Sequence, residues 1–448
     1  MLRSLPAVAY LTGCGVVCRG PACAEEWDVG RALILAGTAE RIATADAADS
    51  ATLTWTGTEA QGADWALTAG NGELVIGTPG SSEVWILPSD GGGPLVGRPW
   101  TDGTTFGFGA AIVRGAGATW VGNPEADLAA GALYRVPLGS DEPDLTVRGT
   151  SAGDRLGERI WLCPDLDGDG LEEVAASAPW FAAPEDFPLA DPTEVAALGG
   201  AVVLLLSAEL TADPNRPIWE LGRLWWGSAP GDALGAGATC ERDLDGDAVP
   251  DLALGAPYVG TGDDGAIYLL GGSTLPASGA VSAQADATLL GKGGEWLGFD
   301  LGTFRDPRTD AVLLVAGAPG ANAGAGAVHT LAVSARNVAT QATFEADATA
   351  TGFHVGRVVT HGDVDGDGRE DLLIGAPDWK DGRNGYDAGR AFVLYGGPTW
   401  SGVAAFAPGT TWTAAQPFAR IGRGIRAFDL DLDGADELLL PARTAVLP

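Results

Sequence analysis

The feature that most constrains this chain is a unit that recurs along it. The unit opens on Leu-Gly or Phe-Gly, passes through a loop, enters a short apolar run and ends in Gly-Ala-Pro. Clear copies are LGERIWLCPDLDGDGLEEVAASAP (156–179), LGAGATCERDLDGDAVPDLALGAP (234–257), LGFDLGTFRDPRTDAVLLVAGAP (297–319) and VGRVVTHGDVDGDGREDLLIGAP (355–377). A worn copy is IGRGIRAFDLDLDGADELLLPA (421–442), and two weaker ones are ADWALTAGNGELVIGTP (63–79) and FGFGAAIVRGAGATWVGNP (106–124). Each copy but the last is followed by a second half, such as GAIYLLGG (265–272) or GRAFVLYGG (389–397), then a turn and another strand-like run. Short runs that alternate or are wholly apolar, set between Gly, Asp and Pro turns, read as strands. Four strands per unit and a spacing of ~40–50 residues are the content and period of a propeller blade.

The last copy lacks a second half, and the missing piece stands at the other end of the chain. WDVGRALILAG (27–37) resembles YDAGRAFVLYGG (386–397), and ATLTWTGTEAQ (51–61) resembles PGTTWTAAQ (408–416). The expectation is an all-β, seven-bladed propeller over residues 25–448, closed by N-terminal strands that complete the last blade. Closure of this kind covers sheet edges that would otherwise be open. The two early copies are weak, so six or eight blades also fit the pattern.

Four copies carry an acidic loop of constant spacing. Carboxylates stand at positions 1, 3, 5 and 9: Asp363, Asp365, Asp367, Asp371; Asp165, Asp167, Asp169, Glu173; Asp243, Asp245, Asp247, Asp251; and Asp429, Asp431, Asp433, Glu437. Alternate side chains of a tight loop can converge on one point, and the position-7 carbonyls of Arg369, Leu171, Val249 and Ala435 would add a further oxygen. An oxygen-only cage suits a hard cation. Ca²⁺ takes 6–8 oxygens in flexible geometry, whereas Mg²⁺ demands a tighter octahedron. Borderline metals would want Cys or His, and the chain has 3 His. An EF-hand needs Glu at position 12 and flanking helices. Position 12 here is Ile374, Ala176, Leu254 or Leu440 and an apolar strand follows, so about four structural Ca²⁺ clips are expected rather than sensors. In the last loop Leu432 replaces the usual Gly, and the copy at 305–313 (RDPRTDAVL) has lost the pattern.

The DxDGDGxxD–apolar–GAP unit resembles the FG-GAP repeat of the integrin alpha-chain N-terminal propeller and its bacterial relatives. The resemblance implies a seven-bladed propeller with calcium in the hairpin between the first two strands of several blades. It also implies adhesion or ligand binding on the face opposite those hairpins.

Charge narrows the partners. The net charge is −33, which would repel phosphate backbones and anionic membranes, so nucleic-acid binding is excluded as an expectation. Residues 1–24 read as a targeting segment, with Arg3 ahead of the apolar stretch 5–11. Two exits fit: a lipobox at 11–14 that would lipidate Cys14, or an A-x-A cleavage site at 22–24. The protein is thus expected to be exported, either secreted or held at a bacterial outer membrane by a lipid anchor alone. Cys163 and Cys240 lie just ahead of successive acidic loops, and both a disulfide across neighbouring blades and two buried thiols fit.

No catalytic motif stands out: G-x-S-x-G, H-E-x-x-H and a P-loop are absent from the sequence. His354 and His361 sit on or beside an inner strand and are read as structural. Binding residues are sought in the long segments after GAP, 180–198 and 378–387, which carry Trp180, Phe181, Phe187, Trp379 and Tyr386. These aromatics either contact a ligand or pack over the channel mouth. Of them, Trp180, Phe181, Trp379 and Tyr386 are the candidate ligand-binding residues. The expected function is a binding or adhesion module for a protein or glycan; the alternative is a polysaccharide lyase or hydrolase with its groups in the central channel.

Overall fold

The computed structural model of the chain describes residues 29–35, 45–46, 53–56, 65–70, 73–88, 93–94, 100–104, 106–140, 142–182, 187, 199–206, 210, 218–334, 337–345, 352–380, 387–397, 410–413, 419–430 and 432–444. Cys14, Tyr386 and Asp431 lie outside these residues, as does the whole segment 1–24. The described chain is a ring of antiparallel sheets.

Each acidic or worn loop joins the first two strands of a sheet. In the unit that starts at 156, Ile160–Cys163 pairs with Glu173–Ala178, then Ala201–Leu205, then Gly222–Trp226. The unit at 355 repeats this with Val358–Gly362, Asp371–Ala376, Arg390–Leu394 and Thr410–Thr413. The second strands, EVAASA and DLLIGA, are buried at every position. Sheets stack on both of their faces, so these strands read as continuous apolar runs and not as alternation. The cores accordingly lie between sheets: Val202, Leu204 and Trp225 of one meet Leu252, Leu254 and Tyr268 of the next.

The ring closes. The first strands neighbour one another from Ala66–Gly70 through Ala111–Arg114 and Ile160–Cys163 onward to Arg426–Phe428, which returns to Ala66–Gly70. As expected, the N-terminal strand Val29–Leu35 completes the last sheet, pairing antiparallel with Glu437–Thr444 from Val29↔Thr444 to Leu35↔Leu438.

The expected count of seven blades needs correction: six blades are formed among the described residues. Among the described residues six sheets have four or five strands, and the stretch from 66 to 88 forms a sheet of three. Little chain separates Pro88 from the next unit at Phe106. The strand within it, Gly93–Pro94, pairs with Leu53–Thr56 of the neighbouring sheet instead.

The repeated glycines have a shared physical cause. Gly356 opens its unit at φ 88°, and its N–H donates to the Gly375 carbonyl at 3.2 Å. Its own carbonyl faces Gly317 of the preceding GAP, where a Cβ would stand 1.9 Å from that oxygen. Backbone therefore touches backbone between blades, and only Gly permits the approach at both places.

Cys163 and Cys240 are bonded, with Cα atoms 5.2 Å apart and 77 residues of separation. The bridge ties the first strand of one blade to that of the next. Closing a loop of that length constrains the unfolded chain by about 4–5 kcal/mol in the chain-entropy picture.

Candidate functional site

The four acidic loops fold by one pattern of hydrogen bonds. The position-9 carboxylate accepts the backbone N–H of position 2: Leu166 to Glu173 at 2.6 Å, Leu244 to Asp251 at 2.8 Å, Val364 to Asp371 at 3.0 Å and Leu430 to Glu437 at 2.8 Å. The position-1 carboxylate accepts two N–H groups across the loop, as Asp165 does from Gly168 and Gly170, and Asp429 from Asp433 and Gly434. The position-5 carboxylate accepts the N–H of Leu171, Val249, Arg369 or Ala435. Each loop is thus organised by its own carboxylates, and the sequence spacing alone dictates this.

Three loops gather carboxylate oxygens within 4.8 Å of one another: Asp165, Asp167, Asp169 and Glu173; Asp243, Asp245 and Asp251; Asp363, Asp365 and Asp371. Asp247 and Asp367 stay outside these groups. Asp247 bonds Ser273, and Asp367 pairs with the Arg369 guanidinium at 3.1 Å. In the last loop Asp429, Asp433 and Glu437 keep the common hydrogen bonds, while Leu432 occupies the left-handed conformation at φ 63° that Gly168, Gly246 and Gly366 take in the others.

The electrostatics of the loops fit a cation. Burial, with Asp167, Asp165 and Asp169 adding repulsion, pushes the Glu173 carboxyl up to about 7. Burial, then Asp365 and Asp363, pushes Asp371 up to about 8. Asp251 and Asp363 are also raised, chiefly by burial. The buried Oε1 of Glu173 has no hydrogen-bond partner. A hard cation would satisfy that oxygen and favour the ionised form of every carboxylate around it.

Sequence reasoning missed the position-8 carboxylates. Glu172 accepts from the Ala116 N–H at 2.8 Å, Glu370 from Arg305 at 2.7 Å and Asp436 from Asp363 at 2.8 Å. Each of these reaches the preceding blade, so the acidic loops also fasten blade to blade. Their common place in the loop is the signal that could have revealed them.

On the opposite face the candidate aromatics separate. Trp180 is 54% exposed. Phe181 is 1% exposed and packs edge-on against Phe187, itself against Trp219 and Trp226. The assignment of Phe181 to ligand contact is therefore wrong: its ring fills the core between blades. Trp379 is half-buried, between Phe353 and Phe392 and under the Arg390 guanidinium at 4.1 Å. The histidines are held in place. His354 Nδ1 lies 2.9 Å from Asp378 and His361 Nε2 lies 2.9 Å from Arg242 Nη2. No helix among the described residues is long and apolar enough to cross a membrane.

Comparison with known proteins agrees with the geometry. The FG-GAP repeat family matches residues 242–270 and 355–394, which span two of the acidic loops and the strands after them. Integrin alpha-PS2 of Drosophila melanogaster is 33% identical over 129 residues, covering 29% of this chain and 8% of that protein. The chain thus spans a small part of that relative's length.

Proposed function

From an FG-GAP repeat chain built as an integrin-alpha-like β-propeller, we propose a calcium-stabilised binding module that works outside the cytoplasm. An FG-GAP propeller fits an integrin-like binding module. The observation that carries the calcium reading is the shared hydrogen-bond pattern of the four acidic loops, three of them with convergent carboxylates. Calcium holds the first hairpin of these blades in shape.

The ligand is a protein or a glycan, taken on the face opposite the acidic loops, where Trp180 stands exposed. The Cys163–Cys240 bridge supports an oxidising compartment, either secreted or at the cell surface through Cys14. The polysaccharide-enzyme reading would need a free base in the channel. His361 faces the channel, and its Nε2 is engaged by Arg242, which favours binding over catalysis.

Calorimetric titration of Ca²⁺ into chelator-treated protein tests the metal. Three to four equivalents bound, with Mg²⁺ much weaker, are expected from the four loops; no binding heat and no change in melting would sink the assignment. Arrays of glycans and extracellular proteins, probed with the parent protein and Trp180→Ala, test the face. Loss of binding with melting unchanged supports recognition there.

A further inference from the structure

The ring encloses a cavity of about 1000 Å³ lined by first strands from every part of the chain. Its charge is the reverse of the molecule's. Eight arginines and four carboxylates line it, in a chain whose net charge is −33. Most of these arginines are neutralised by a carboxylate. Arg242 pairs with Glu370 at 2.7 Å and Arg159 with Asp300 at 2.7 Å. Arg426 differs. It stands on the first strand of the last blade, and its Nη1 donates to the Ile425 carbonyl at 2.8 Å. Among the described residues it has no ion-pair partner.

Asp300 does not serve it. One Asp300 oxygen takes Arg159, and the other takes the Val359 N–H at 2.9 Å. Arg426 is exposed to the water of the channel. The surrounding protein lowers its tendency to hold charge, Asp300 and Glu241 oppose this, and the Arg159 guanidinium adds repulsion. Two guanidiniums therefore line one channel together with the already engaged Asp300 and with Glu241, which accepts from the Thr303 hydroxyl at 3.1 Å. The partly exposed Trp161 lines the same channel, at the register on its own blade that Arg426 occupies on the last.

We propose that the axial channel is a binding site for a carboxylate-bearing ligand, held by Arg426 with Arg159. Guanidinium forks match carboxylate geometry and form charge-assisted bonds stronger than neutral ones. The cavity is of the size that encloses small-molecule ligands. The acidic exterior does not forbid this, because charges more than ~8 Å away are largely screened at physiological ionic strength. The site is separate from the loop face that carries Trp180.

Succinate, a weak calcium ligand, and trigalacturonate, titrated calorimetrically into the calcium-loaded protein in excess Ca²⁺, test the proposal, with inorganic sulfate as a third probe. Saturable binding of either carboxylate is expected. Tighter binding of trigalacturonate points to an acidic sugar, and equal binding to a small organic acid. Arg426→Met should weaken binding by about tenfold or more, and Arg426→Lys by less. A second measurement needs no variant: in the parent protein a bound carboxylate should protect Arg426 from phenylglyoxal, read by peptide mass. Binding of neither carboxylate, binding of sulfate alone, or labelling of Arg426 unchanged by a saturating carboxylate would each overturn the assignment.

Discussion

Two hairpins in this ring solve the same problem by different means. The loop between Val358–Gly362 and Asp371–Ala376 gathers Asp363, Asp365 and Asp371 with no basic side chain among the three. The equivalent loop between Leu301–Arg305 and Val312–Ala318 carries Asp306, which accepts from the Arg308 N–H at 2.9 Å and pairs with its guanidinium at 3.1 Å. Its backbone closes through Asp306 N–H to the Ala311 carbonyl at 2.9 Å. On the proposed reading one loop takes its cation from solution, whereas the other has a guanidinium covalently attached. The worn repeat is therefore a hairpin that carries its own counter-charge.

The largest expected effect is that of calcium itself. Removal with a chelator should lower the melting temperature markedly, since each site contributes roughly 2.7 kcal/mol at a hundredfold excess of ligand over its dissociation constant. Differential scanning calorimetry with Ca²⁺ and with chelator measures this; coincident curves would erase the distinction between the two hairpins.

Next comes a paired substitution. Asp371→Ala removes the acceptor for both Val364 and Gly396 N–H groups and should cost about 2–4 kcal/mol in calcium. That cost should shrink in chelator, where the buried carboxylate no longer has a cation to bind. Asp306→Ala should cost about 1–2 kcal/mol, by the same amount in either condition. Urea unfolding of both variants in both buffers makes the comparison. A calcium-dependent cost for Asp306→Ala would show that the worn hairpin still binds metal.

The pH dependence of the two hairpins has opposite sign. Asp371 and Glu173 have folded pKa values raised to about 8 and about 7. Their contribution to the metal-free protein is complete below the ordinary carboxylate pKa of about 4, and is lost as pH rises towards 8. Burial pushes Asp306 up, but its bonds to the Arg308 N–H and guanidinium outweigh this and hold it below the ordinary value. Its contribution is present above pH about 4 and lost on further acidification. In chelator the melting temperature should therefore fall between pH 5 and 8, and calcium should flatten that slope. A flat profile in chelator would contradict the repulsion argued for the empty loops.

The smallest effect is local. Leu432 is 83% exposed and sits at φ 63°, where an L-residue pays roughly 1–2 kcal/mol. Leu432→Gly should stabilise the protein by about 1 kcal/mol and bring the last loop closer to its three relatives. Chemical denaturation of the variant decides; a loss of stability would mean that the Leu432 side chain has a packing role.

What could be read along the chain was what repeats and what is local. The acidic loops form by hydrogen bonds within nine residues, so spacing alone located Asp165, Asp243, Asp363 and Asp429 and their partners. The closing strand Val29–Leu35 was legible because it copies a stretch near residue 390. Trp180 and Phe181 are chain neighbours of like chemistry, yet one meets solvent and the other the ring of Phe187. Nothing in the linear order distinguishes them, because which ring turns inward depends on Phe187 and on the Trp226 strand that the fold brings against it.

The repeat, the hairpin chemistry and the closure of the ring were thus determined by the sequence itself, because each depends on short-range pattern. Blade completeness, the Cys163–Cys240 bridge, the position-8 carboxylates and the arginines of the channel were decided by the tertiary structure. Arg159, Asp300 and Arg426 belong to three different blades and are separated by more than a hundred residues at each step. Only closure of the ring brings them to one axis, and the field they create there is a property of the assembled channel.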